Sequence, residues 1–429
     1  MLKIKNITGL GRLLFILRVK GGVALHYFSE MVRGQLDLGQ TYRLLRRLNY
    51  FIGQLSENKF IRIGKYIRLN LYIPGFPSRA FFTACDKFKV FDEKFPNTTV
   101  LLSVTRACRY HCHHCYQKND QGKDLDIGIL KEITQKLQNM GVAFFNIEGG
   151  EPFLVFDRLK QVCEVIDGRS EIWVNSTGDG VTLEALQELK KLSVTAIMFS
   201  LHSSDPDKLN NFMGMETAWN TMTEAIKNCH KADIVVAFNI CLQKEDFYNG
   251  EFERIMERAR EFKAAIIQLI HPKPAGGWLE RGVEPFSPAD LQRVKDLVHR
   301  YNHHRNFRDY PAISAQINEE DSSMFGCTAG GTDRFYINAA GEVQPCEFLN
   351  ASFGNVNDEK FEEIYQKMRK TFEIPGEKWL CQEYSKEIFR LCQENNLKNL
   401  PLKKELFAKI YENWNRGNAT RLYQKLRQL

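Results

Sequence analysis

Between residues 108 and 117 the chain reads CRYHCHHCYQ, three cysteines and three histidines within ten positions. Cys108, Cys112 and Cys115 are spaced C-x3-C-x2-C, with no fourth cysteine close behind. A structural zinc ion takes four ligands in closed tetrahedral geometry, and His111, His113 or His114 would complete such a set. A disulfide framework needs an oxidising compartment and an even count; the chain has eleven cysteines and its early apolar run, 13–17, is too short for a bilayer span and lacks a cleavage-like site. The thiols are therefore expected to stay reduced in a cytoplasmic protein. A four-iron four-sulfur cube held by three thiolates keeps one iron open to a small molecule.

A metal-bearing loop needs a scaffold. From about residue 98, short apolar or β-branched runs (98–105, 143–148, 171–177, 195–203, 234–243, 265–273) alternate with amphipathic stretches (127–140, 156–166, 182–192, 216–231, 252–263). Six strand-then-helix units imply parallel strands joined by right-handed crossovers, and eight are needed to close a barrel. The expected architecture is α/β, a partial (β/α)6 barrel of TIM type over 96–310. A helical extension (1–95) precedes it and a small C-terminal module (311–429) follows. Chemistry in such barrels sits at the carboxyl ends of strands. The cysteine loop follows the first strand, GGEP (149–152) the second and NSTGDG (175–180) the third, and SLHSSD (200–205) ends the fourth.

The cysteine spacing followed one strand later by GGEP resembles the radical S-adenosylmethionine (SAM) superfamily. The resemblance implies that Cys108, Cys112 and Cys115 hold a four-iron four-sulfur cluster. Its open iron would bind the amino and carboxylate groups of SAM, and reductive cleavage would give a deoxyadenosyl radical that takes hydrogen from the substrate. A low-potential donor of flavodoxin or ferredoxin type is then the expected electron partner. Gly149 and Gly150 would let backbone approach the ligand, and Glu151 would accept from its amino group. Asn175 and Ser200 match positions that touch the SAM carboxylate and ribose. Relatives carry an aromatic residue where this chain has His114, and an arginine motif where it reads 209–214 as LNNFMG. Alternation in the fifth strand puts Ala237, Asn239, Cys241 and Gln243 on one face; if that face is interior, Cys241 could return hydrogen to a product radical. A buried inert thiol is the competing reading.

A second group, CTAGGTDRFYINAAGEVQPC, runs from Cys327 to Cys346 with Gly341 between two strand-like runs. It resembles the opening of SPASM and Twitch modules, which hold auxiliary iron-sulfur clusters. Only Cys381 and Cys392 remain downstream, so the expectation is one auxiliary cluster held by Cys327, Cys346, Cys381 and Cys392.

Composition, with 43% apolar and 26% charged residues, excludes wholesale disorder. The net charge of +7 resides in the first fifty residues, where nine cations face only Glu30 and Asp37. Basic residues interleaved with leucines suit either an anionic membrane surface or helices packed on the barrel. With two prolines and several aromatics in 66–82, that character suggests a hydrophobic or membrane-associated substrate and peripheral membrane contact. Competing readings are a SPASM-type peptide-modifying enzyme, a zinc-containing nucleic-acid binder and a two-cluster electron carrier. No base-stacking motifs support nucleic acid.

Overall fold

The computed structural model describes residues 4–55, 58–89 and 98–429, so the expected boundary near residue 96 lies outside them. The basic front half of the extension folds as two helices, α1 (Leu10–Val32) and α2 (Leu38–Gln54). Asp37 starts α2 with a capping box: its side chain accepts from Gln40 N–H while the Gln40 side chain accepts from Asp37 N–H. Around these run β1 (Ile4–Ile7), β2 (Phe60–Ile63) and β3 (Tyr66–Arg68), a three-stranded antiparallel sheet, and then α3 (Arg79–Asp86). Phe15, Val19, Val23 and Tyr27 of α1 share one apolar core with Leu44, Leu48 and Ile52 of α2 and with Phe81 of α3.

Seven consecutive parallel strands follow: β4 (Thr99–Ser103), β5 (Phe144–Glu148), β6 (Glu171–Ser176), β7 (Val194–Ser200), β8 (Val235–Cys241), β9 (Ile266–Ile270) and β10 (Ala312–Ala315). Strands buried on both faces must be apolar throughout and need helical crossovers. The crossovers are α4 (Ile127–Asn139), α5 (Phe156–Glu164), α6 (Leu183–Lys191), α7 (Pro206–Met213), α8 (Ala218–Lys231), α9 (Glu251–Glu261) and α10 (Pro288–His303). Val100, Phe145, Val174, Phe199 and Phe238 face these helices. Phe144, Trp173, Ala196, Met198 and Ala237, one residue out of phase, form an interior core.

The parallel sheet extends past residue 310. β10 adds a seventh strand, and β11 (Arg334–Ile337) pairs parallel with the free side of β4. β12 (Glu342–Gln344) and β13 (Gly354–Asn355) continue antiparallel, leaving β10 and β13 as the edges. The six-strand expectation missed β10 because four residues, AISA, carry too little periodicity to detect. It also read 334–346 as a free hairpin because sequence does not show that its first strand joins β4. After β10 come α11 (Gln316–Glu319), α12 (Phe361–Thr371), α13 (Leu380–Glu383), α14 (Ser385–Glu394), α15 (Lys404–Tyr411) and α16 (Arg421–Gln428). Leu422, Tyr423 and Leu426 of α16 return to the α1–α2 core.

The two mouths of the barrel differ. Ile61, Ile63 and Leu71 from the β2–β3 region join Phe144, Trp173, Val235, Ile266 and Ala312, near the amino ends of the strands, in the interior core. Buried Arg68 bonds Glu171 there and stacks over Trp173, 4.7 Å from the ring centre. That mouth is plugged, which directs ligands to the carboxyl rim. No helix among the described residues is long and apolar enough to cross a membrane.

Candidate active site at the carboxyl rim

The cysteine loop leaves β4 and is held on three sides by backbone. Gly150 N–H donates to Thr105 O and Glu151 N–H to Ala107 O, both at 2.7 Å, so the GGEP turn runs directly against the loop. A Cβ on Gly150 would lie 2.3 Å from Ala107 O, so only glycine permits this approach. On the second side, His111 N–H donates to Met213 O at the end of α7, and Cys112 Sγ lies 3.5 Å from the same oxygen. On the third, Gly277 N–H donates to Cys115 O, and a Cβ on Gly276 would lie 2.3 Å from that oxygen. Thus FMG, where relatives have an arginine motif, braces the loop through its carbonyl.

Cys108, Cys112 and Cys115 line one cavity of about 750 Å³ with Gly150, Thr177, Ser200, His114 and Tyr116. That volume is ample for a cluster and a small ligand. Burial pushes the Cys112 thiol up, and Cys115 and Cys108 add to the shift, so the three thiols share one electrostatic environment. Among the described residues no three His, Cys, Asp or Glu side chains close to the geometry of a single metal ion. Three thiols distributed around a cavity, with no fourth ligand closing a tetrahedron about them among the described residues, suit a cube of four irons better than one zinc ion.

The histidines divide. His111 and His113 are exposed, whereas His114 lies in the cavity wall with its ring 4.6 Å from His202 and 4.7 Å from Phe212. Burial, with His113 beside it, lowers His114 to about 4 and keeps it neutral. His202, missed in the sequence reading, accepts from Cys241 N–H through Nδ1 at 3.0 Å. The SLHSSD stretch contained it without marking its partner.

Glu151 does not take the expected role. It is fully buried and its carboxylate accepts from Thr177 N–H and Oγ1 (2.6 Å each), Ser176 Oγ (3.0 Å) and Phe153 N–H (3.1 Å). Both oxygens accept from the β6 turn, and Oε1 also accepts from Phe153 N–H, so Glu151 ties GGEP to NSTGDG. Burial against these donors brings its carboxyl up to about 7. Gly149 packs against Thr105 backbone, outside the cavity lining.

Ser200 lines the cavity; Asn175 does not. Asn175 Nδ2 donates to Glu148 at 3.0 Å, and its Oδ1 is buried without a partner among the described residues. Glu148, at the interior end of β5, also accepts from Tyr116 Oη, and burial pushes it up to about 8. Glu148 alternates with Phe144 and Asn146 along β5, which turns it toward the barrel interior. Cys241 lies at the interior end of β8, 9% exposed; burial raises its thiol to about 12, so it stays protonated.

Three cysteines of the second group meet: Cys327, Cys346 and Cys381 line one small cavity with Arg334, Phe348 and Trp379. Arg334 bonds Glu320, lies 3.4 Å from Glu347, and reaches Cys346 Sγ at 3.8 Å. The expected fourth ligand is absent from this cavity. Cys392 sits on the apolar face of α14 with Ile388 and Leu391, buried in the core, because helical spacing turns position 392 inward with them. Beside Trp379 of the auxiliary cavity, buried Lys273 contacts His271 Nε2 at 2.9 Å and lies 3.7 Å over the Trp379 ring. Its charge lowers both Cys241 and Cys381 against the desolvation that raises them.

Residues 102–259 match the radical SAM superfamily, and residues 327–394 match an iron-sulfur cluster-binding domain of the SPASM type, together more than half of the chain. An AdoMet-dependent heme synthase of Methanosarcina barkeri is 23% identical over 67% of this chain and 88% of its own. A probable GTP 3',8-cyclase of Archaeoglobus fulgidus is 21% identical over 64% and 94%. In fold, the chain is similar to Streptococcus suis SuiB bound to S-adenosylmethionine, with a TM-score of 0.53 at 15% identity over 68% of this chain and 72% of that one. The cofactors of these domains are a four-iron four-sulfur cluster, SAM and auxiliary iron-sulfur clusters. The chain belongs to the radical SAM enzymes that carry a C-terminal SPASM iron-sulfur cluster-binding domain.

Proposed function

We propose that the rim cavity is the site of reductive SAM cleavage, with Cys108, Cys112 and Cys115 as the protein ligands of the cluster, and that the enzyme takes hydrogen from an unactivated carbon. The observation that carries this reading is the convergence of three thiols from one loop on a cavity walled by Gly150, Thr177 and Ser200. Cys108, Cys112 and Cys115 would hold the cluster, and cluster and SAM together would supply radical hydrogen-abstraction chemistry, with a flavodoxin- or ferredoxin-type protein as the electron donor. The chain's own residues do the rest. Gly150 brings backbone against the cysteine loop, Glu151 holds Thr177 in place, and the plugged amino mouth keeps water from the interior. Glu148, with Tyr116 and Asn175, offers a carboxyl near neutrality that can hold or release a proton on the interior side. Cys241, protonated and inward, is the candidate hydrogen donor to a product radical. Cys327, Cys346 and Cys381 are the proposed auxiliary ligands, leaving one corner without a cysteine.

The substrate we favour is hydrophobic or membrane-associated, because large apolar side chains crowd the outer surface of the N-terminal helices. The test is anaerobic reconstitution, metal analysis and a deoxyadenosine assay. Iron with reductant-dependent deoxyadenosine, lost in Cys112→Ala, supports the reading; zinc without iron sinks it.

A further inference from the structure

The outer face of α1 is apolar from end to end. Leu10, Leu14, Leu17, Leu25, Phe28 and Val32 recur at helical spacing and are 80, 66, 58, 73, 56 and 71% exposed. With about 1.5 Å of rise per residue the stripe is about 33 Å long. The opposite face, Phe15, Val19, Val23 and Tyr27, is already buried in the core, so the outer stripe contributes nothing to folding. A contiguous exposed patch of this kind marks an interaction surface.

Charge indicates what covers it. Arg18, Arg33, Arg43 and Arg46 are exposed on α1, the turn after it and α2, and none forms an ion pair with a carboxylate among the described residues. The segment's two acids are turned to other tasks: Glu30 pairs with Lys89, and Asp37 caps α2. A second copy of this chain would press the same cations against themselves. An anionic bilayer offers both an apolar interior for the stripe and headgroups for the cations.

We infer that α1 docks in the plane of an anionic membrane surface, leucines down, with Arg18, Arg33, Arg43 and Arg46 among the phosphate and carboxylate headgroups. The docking rests on the hydrophobic-substrate reading for its purpose and not for the binding itself, which needs neither cluster nor SAM. It places an enzyme without a spanning helix among the described residues beside a lipid-borne substrate.

The full chain is sedimented with phosphatidylcholine vesicles made with and without phosphatidylserine. The expected result is recovery with the anionic vesicles, weakened by salt, and at least ~10-fold weaker binding to neutral ones. Leu14→Glu with Leu25→Glu should abolish recovery, and Arg43→Glu with Arg46→Glu should abolish the anionic preference. Both pairs are exposed and should leave the melting temperature and reductive SAM cleavage in solution unchanged. Equal recovery with both vesicle types, no recovery with either, or a concentration-dependent dimer that Leu14→Glu with Leu25→Glu dissociates would each overturn the proposal. Loss of SAM cleavage in the wild type with vesicle binding intact would instead overturn the catalytic reading and leave the docking standing.

Discussion

Six cysteines meet in two triads, and the two are assembled in opposite ways. Cys108, Cys112 and Cys115 come from one loop, so their proximity is dictated by spacing, and the fold's task is to brace that loop with Gly150, Met213 and Gly277. Cys327, Cys346 and Cys381 come from three separate segments and meet only because β11 and β12 pair and α13 packs beside them. The first opens into a large cavity at the rim; the second is enclosed beside the Arg334 ion pairs. A local triad built around a wide space suits exchange of a small molecule. A distributed, enclosed one suits permanent retention of a cluster.

Removing one ligand from each triad is the strongest way to break this contrast. Cys112→Ala should drop deoxyadenosine formation to background, a loss of about two or more orders of magnitude on the usual reading of mutant kinetics. Cys381→Ala should instead remove about half of the bound iron, as expected for one of two four-iron clusters, while measurable SAM cleavage persists. If Cys381→Ala abolished cleavage as fully as Cys112→Ala with rim iron retained, the division of labour would be wrong.

A weaker perturbation separates bracing from ligation. Glu151→Gln puts an amide where four donors converge on a carboxylate, leaving at least one buried donor unmatched. We expect a stability loss of about 2–3 kcal/mol by chemical denaturation, with rim iron still bound. Loss of iron without loss of stability would restore Glu151 to a ligand-facing role.

The triads should also differ in their response to pH. Beside the rim, burial raises Glu148 from its ordinary value of 4.5 to about 8, whereas the Glu320 and Glu347 carboxylates near the auxiliary site are ion-paired with Arg334. A raised folded pKa means that the native state holds its proton from about pH 8 downward, while the unfolded chain takes one up only near 4.5. Stability from this group therefore rises as pH falls from 8 to 6, by about 2 kcal/mol, and levels off below 4.5. Denaturation midpoints at pH 6 and 8 should show this slope in the wild type, and Glu148→Gln should reduce it by about 2 kcal/mol, leaving the part that Glu151, raised to about 7, contributes in the same window.

The smallest effect sharpens the auxiliary assignment. Cys392→Ala trims a buried thiol from the core of α14 and should cost about 1 kcal/mol while leaving total iron unchanged. Loss of iron would return Cys392 to the ligand set.

The same contrast explains what could be read from residues alone. The rim triad, GGEP and the strand-helix alternation are local patterns, and the parallel barrel with its reactive rim follows from them. That Cys392 lies outside the cavity lined by Cys327, Cys346 and Cys381 was not legible, because cysteine spacing cannot show which side of a helix faces a cavity. The four donors that hold Glu151 were not legible, because Thr177, Ser176 and Phe153 meet its carboxylate only in the fold. β10 escaped because four residues carry too little periodicity, and β11 because its place in the sheet is set by β4, far away in the chain. The mixing of leucines with cations in the first fifty residues was legible; that the apolar residues form an outer stripe reaching Val32 depended on knowing which face Tyr27 buries.

The account depends on a rim cluster whose fourth corner is open to SAM. Electron paramagnetic resonance of anaerobically reconstituted, dithionite-reduced protein, recorded with and without SAM, tests this most directly. The account predicts that SAM shifts the signal of one cluster and leaves the other unchanged, and that the shifted signal is missing in Cys112→Ala. A spectrum indifferent to SAM in iron-replete protein would contradict it.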